Sequence, residues 1–129
     1  MDPVSRRARP HAAAIGWLAC AALALSAGAA WAHAFPDRAE PRVGSTLDAS
    51  PAIVRIWFDA QIEPVFSTIR VESAEKKRVD AGDGGVDSAD YRVLAVKLPP
   101  LPPGRYRVYW SVVARDGHRS EGDFPFRIK

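Results

Sequence analysis

The stretch Arg105–Ala114, RYRVYWSVVA, decides the fold. Tyr106, Val108, Trp110 and Val112 fall at every second position, with Arg107, Tyr109 and Ser111 between them. A period of two is that of a pleated strand with one buried face, and β-branched and aromatic side chains suit it. It predicts a central strand. Working outward, Ala52–Asp59 (AIVRIWFD) places Val54, Ile56 and Phe58 on one face, and Phe66–Ser73 (FSTIRVES) sends Ile69 and Val71 inward. Tyr91–Leu98 alternates Leu94, Val96 and Leu98 with less regular neighbours. Phe124, Phe126 and Ile128 supply a last strand, and Pro125 on its opposite face predicts an edge position, because proline has no N–H to give a ladder. Turn residues punctuate these runs at Ser50-Pro51, Glu63-Pro64, Gly82-Asp83-Gly84-Gly85, Asp116-Gly117 and Gly122. No window shows helical periodicity. About seven short strands with turns every 8–12 residues predict an all-β domain, a small Greek-key β-barrel or sandwich of immunoglobulin-like or cupredoxin-like type.

The segment ahead of this domain differs in kind. Arg6, Arg7 and Arg9 precede a run from Ala12 to Ala30 that carries no charge and ends in Ala30-Trp31-Ala32. A basic start, an apolar run and small residues at the last and third-last positions predict a secretory signal over residues 1–32, cleaved after Ala32. The alanine-rich run is weakly apolar for a membrane anchor. Cys20 has too short an apolar lead, with Trp17 in it, for a lipoprotein site, and Arg6-Arg7 is followed by a poor match to a twin-arginine motif, so the general secretion route is favoured. One mature domain, residues 33–129, remains. The 18 basic and 15 acidic residues of the whole chain give a formal +3, and removing Arg6, Arg7, Arg9 and Asp2 brings this to +1. A near-neutral domain with both signs interspersed is not a nucleic-acid binder. Cys20 and Met1 leave with the signal, so the exported domain has no cysteine, no methionine and no disulfide, and its core alone must hold it.

Processing also removes His11 and leaves His33, now the first residue, and His118. A free α-amine and the imidazole of the same residue can chelate one metal ion, and both lose their protons to a metal near neutral pH. His118 follows Asp116-Gly117, whose glycine lets a carboxylate and an imidazole aim at one point. Taken singly, His33 reads as chance and Asp116-Gly117-His118 as an ordinary turn. Together, amine, two imidazoles and a carboxylate make a tetragonal N/O set suited to Cu(II), and without sulfur there is neither a soft Cu(I) site nor a blue-copper site.

Other candidates carry less. Asp80, Asp83, Asp87 and Asp90 do not match an EF-hand, so the stretch reads as a solvated hairpin connection. No nucleophile elbow or phosphate loop is present, which leaves hydrolase and nucleotide readings without support. Of the aromatics, Trp57 and Tyr109 lie on the less buried faces and are expected to approach a site.

The stretch from Pro102 to His118, followed by Gly122, Phe124 and Phe126, resembles the C-terminal signature of the CopC/PcoC-type periplasmic copper resistance proteins. His33-Ala34-Phe35 with Pro41, Gly44 and Ser50-Pro51 is similar to that family's processed start, and Ile56-Trp57-Phe58 with Glu63-Pro64-Val65-Phe66-Ser67 to its first hairpin. The resemblance implies a Greek-key domain that binds one Cu(II) per mature chain through His33 (amine and imidazole), Asp116 and His118, and carries copper in the periplasm. It also implies an inner-membrane copper transporter of the CopD type, or other periplasmic copper proteins, as partners. Two departures stand out. The family's Phe-Ser-Glu is here Phe58-Asp59-Ala60, so Ala60 takes the position of the Glu and Asp59 is expected to point away from it; and the methionine-rich Cu(I) loop of some members has no counterpart in Lys77–Asp90. A Cu(II)-only carrier or buffer in copper resistance and homeostasis, not an enzyme, is the leading expectation. A copper-dependent oxidase with a His-brace site and a metal-free immunoglobulin-like interaction module are the alternatives.

Overall fold

The computed structural model describes residues 33–129; the expected signal segment, residues 1–32, lies outside the described residues. Eight strands form two sheets. The first, in the order β1-β3-β6-β5, consists of β1 (Pro36–Glu40), β3 (Ile53–Phe58), β6 (Val93–Lys97) and β5 (Gly85–Val86). The second, β2-β8-β7-β4, consists of β2 (Thr46–Leu47), β8 (Arg119–Ile128), β7 (Gly104–Val113) and β4 (Thr68–Ser73). All pairings are antiparallel except the short parallel contact of β2 with β8. A single 3-10 turn, Pro64–Phe66, is the helical element among the described residues.

The alternating residues do what their period dictates. Val54, Ile56 and Phe58 of β3 face Ile69 and Val71 of β4, Tyr106, Val108 and Val112 of β7, and Phe124, Phe126 and Ile128 of β8 in one buried cluster. Each such side chain taken out of water contributes about 1.5–3 kcal/mol, which is how a domain without disulfides is held. Strand β7 lies between β8 and β4, as its regular pattern predicts. Tyr106 enters the cluster with a polar tip, and its hydroxyl donates to the carbonyl of Pro102 at 2.6 Å.

The sequence expectation differs from the structure at two places. Strand β8 is not a sheet edge, because β2 pairs with its last two residues, Arg127 and Ile128. Pro125 is tolerated because its carbonyl accepts from Gly44 N–H at 2.7 Å, so its N–H-less side also points away from β7 and costs no β7–β8 bond. Strand β1 carries almost no apolar pattern and is largely exposed, and it forms by pairing with the edge of β3. The acidic stretch is a set of backbone caps: Asp80, Asp83, Asp87 and Asp90 each accept a main-chain N–H, from Val71, Lys97, Ala89 and Arg92 respectively. The Asp80 side chain is shielded from solvent while Asp83, Asp87 and Asp90 are exposed, so the connection is solvated as expected and, beyond that expectation, capped by its own carboxylates.

Candidate metal centre

The β7–β8 hairpin is closed by Ala114 N–H donating to His118 O and by Gly117 N–H donating to Ala114 O, both at 2.9 Å. Gly117 sits at φ 88°, a left-handed conformation that glycine adopts without steric cost. The turn places Asp116 against His118 twice over. His118 N–H donates to Asp116 Oδ1 at 2.9 Å, and His118 Nδ1 lies 3.1 Å from Asp116 Oδ2. The backbone N–H of His118, against the cost of desolvation and with help from the His118 and His33 imidazoles, holds the Asp116 carboxyl below the usual carboxylate range.

His33 arrives from the other sheet. Its ring stacks on that of His118 with centroids 5.0 Å apart and planes 14° from parallel, and on its other neighbour, Phe35, at 5.9 Å and 16°. The two histidines, 85 positions apart in sequence, thus meet at one end of the sandwich, with the carboxylate of Asp116 against the second of them. Beneath them the chain is tied down. Glu63 N–H donates to Val113 O at 2.7 Å, and the Arg119 guanidinium donates to Ser111 Oγ at 2.6 Å.

All three sequence-predicted ligands are brought together, yet among the described residues no group of three His, Cys, Asp or Glu side chains is arranged to hold a metal ion as it stands. Stacked imidazoles present faces to each other, and Nδ1 of His118 is turned onto Asp116. The donor set fits a borderline metal such as Cu(II) in kind, two imidazoles and one carboxylate, and needs side-chain rotation to converge. The His118 and Asp116 side chains are 39% and 25% exposed, so an ion can reach them from solvent.

One expectation about neighbours is corrected. Trp57 and Tyr109 are each covered by a guanidinium, Arg38 at 3.8 Å from one ring centroid and Arg70 at 4.4 Å from the other; the aromatic ring beside the candidate ligands is that of Phe35. Asp59 has a backbone partner of its own. Its Oδ1 accepts Phe35 N–H at 2.8 Å while its own N–H donates to Phe35 O at 3.0 Å, which fixes the chain two residues after His33. A carboxylate directly after β3, whose edge neighbour β1 begins just after His33, is the signal that could have pointed there. Ala60 itself packs partly buried against the core and offers no donor atom.

A two-sheet β-sandwich that gathers two histidines and an aspartate at one end is a candidate small metal-binding domain. Residues 37–129 match the family model described as the CopC domain, and the chain belongs to that family. The chain is 34% identical over 99 residues to the copper transport protein CutJ of Bacillus subtilis, a match that covers 76% of this chain but only 18% of that one. Among solved structures, CopC from Methylosinus trichosporium superposes with a TM-score of 0.67 at 30% identity, covering 75% of this chain and 94% of that one. PcoC, a methionine-rich copper resistance protein from Escherichia coli, gives a TM-score of 0.67 at 26% identity, covering 76% and 100%. No helix among the described residues is long and apolar enough to cross a membrane.

Proposed function

We propose that the chain is exported, cleaved after Ala32, and carries Cu(II) in the periplasm as a non-catalytic carrier or buffer in copper resistance or homeostasis. Copper is cargo, one ion per mature chain, held by the amine and imidazole of His33, the imidazole of His118 and the carboxylate of Asp116. The observation that carries this reading is the 5.0 Å approach of the His33 and His118 rings with Asp116 against His118. The family supports copper as the ion. The absence of sulfur from residues 33–129 favours Cu(II) over Cu(I). A copper transporter in the inner membrane is the proposed recipient, a reading supported by CutJ, a copper transport protein in which the matched region is a minor part.

The test is a Cu(II) titration of the chain beginning at His33 beside a form with one extra residue ahead of it. An added residue converts the amine to an amide. The extended form and His118→Ala are each expected to bind at least ~10–100-fold more weakly, the loss that even outer-shell changes at metal sites produce. Equal affinity in the extended form removes the amine from the ligand set, and no stoichiometric binding in the His33 form leaves the metal-free interaction module.

A further inference from the structure

On the solvent face of the second sheet, two arginines are neutralised where they stand. Arg70 pairs with Glu72 at 2.9 Å, and Arg107 with Asp123 across the β7–β8 ladder. The second pair of that ladder, next to Gly104 and Ile128, is different. Arg105 and Arg127 are directly opposite each other, both exposed, and neither has an ion-pair partner among the described residues. Like charges facing each other across an antiparallel pair destabilise a sheet.

Lys76 adds a third cation at a second unfavourable position. In the turn after β4 it adopts φ 59°, a left-handed conformation in which glycine or asparagine is at home and a lysine is strained. All three cations line one open groove of about 560 Å³, a size typical of small-ligand sites. The acid lining it, Glu72, is already engaged by Arg70.

Two local costs converge on the same groove. We infer that it is an oxyanion site for a multiply charged small molecule of the phosphate class, clamped between the Arg105 and Arg127 guanidiniums, with Lys76 as a further donor. Guanidinium groups bind phosphate through paired charge-assisted hydrogen bonds, and three cations suit a dianion better than a monocarboxylate. The site is independent of the metal reading. Strand β7 separates Arg105 from the Ala114–His118 hairpin by roughly 25–30 Å at the usual rise per residue.

Titrating inorganic phosphate into the metal-free protein at constant ionic strength, followed by calorimetry, tests it. Saturable binding is expected, weakened about tenfold by Arg105→Gln or Arg127→Gln, as loss of one hydrogen bond to a charged group implies. The same variants are expected to keep or raise Tm, because each removes a like-charge contact. Lys76→Gly relieves the turn while deleting a cation, so it too combines weaker phosphate binding with an equal or higher Tm. Acetate is expected to compete poorly. Phosphate uptake that does not saturate, or that is untouched by these substitutions, overturns the proposal. So does a fall of Tm in parallel with binding, which would make the cations structural. Binding to phosphatidylglycerol vesicles without binding of free phosphate also overturns it, in favour of a membrane surface.

Discussion

Asp59 holds both backbone polar groups of Phe35: the carboxylate accepts Phe35 N–H at 2.8 Å and the Asp59 N–H donates to Phe35 O at 3.0 Å. The ring of Phe35 in turn stacks on His33. A carboxylate 24 positions away in sequence therefore sets where the chain around His33 leaves the sheet. Asp59→Ala removes one of the two tethers, and the variant is expected to bind Cu(II) about tenfold more weakly, with a stability loss of about 1 kcal/mol. Asp59→Asn keeps an acceptor oxygen and is expected to retain most of the affinity. Copper titration and urea denaturation of the two variants check this; equal affinities for wild type and Asp59→Ala would show that the clamp does not position the ligand.

Gly122 lies directly opposite Trp110 in the β7–β8 ladder, and a Cβ at that position would come within 2.7 Å of the indole Cζ2. The indole is also packed edge-on against Phe58, with ring centroids 5.3 Å apart. Gly122→Ala is therefore an overpacking change, with an expected cost of about 1–3 kcal/mol. Trp110 fluorescence in a Trp57→Phe background should shift with it. Unchanged stability and emission would mean that the indole moves aside freely.

Asp80 provides the pH test. Burial alone would push its carboxyl up, but the Arg78 guanidinium and the N–H groups of Val71 and Gly82 outweigh this and leave it below its ordinary value. A carboxyl lowered in the folded state adds stability above its unfolded value of about 3.9, and this is lost as pH falls through the folded value. Asp80→Asn is expected to cost about 1–3 kcal/mol at neutral pH, as a buried donor loses its partner. The gap between wild type and variant then narrows as the solution is acidified below about pH 4. Denaturation midpoints measured across that range decide it, and a constant gap would contradict it.

The legible parts of this chain were those where one residue's environment is set by its own strand. Val54, Ile56 and Phe58, or Phe124, Phe126 and Ile128, alternate because a single face is buried, and the period is visible in sequence. Strands β1 and β2 were not legible, since Pro36–Glu40 and Thr46–Leu47 have no buried face and owe their conformation to neighbours elsewhere in the chain. The site divides in the same way. His33 and His118 stand out because residues 33–129 hold no other histidine, and the Asp116 contact is local to its turn. The guanidiniums over Trp57 and Tyr109 were hidden because cross-strand pairing creates them, as it does the Asp59 clamp.

Tyr106 reports on the core from the alkaline side. Burial, reinforced by the charge of Glu75, raises its phenol above the ordinary tyrosine value, and its hydroxyl donates to Pro102 O. For an acid whose folded value is raised, the stabilisation is complete below the unfolded value of about 10 and is lost as pH climbs through the folded one. Tyr106→Phe deletes the hydroxyl and strands the Pro102 carbonyl, with an expected cost of about 0.5–1.5 kcal/mol at neutral pH. In an alkaline titration followed by ultraviolet absorbance, the wild type minus Tyr106→Phe difference should be a single phenol step centred above pH 10. A step at or below that value would place the hydroxyl in water and separate it from Pro102.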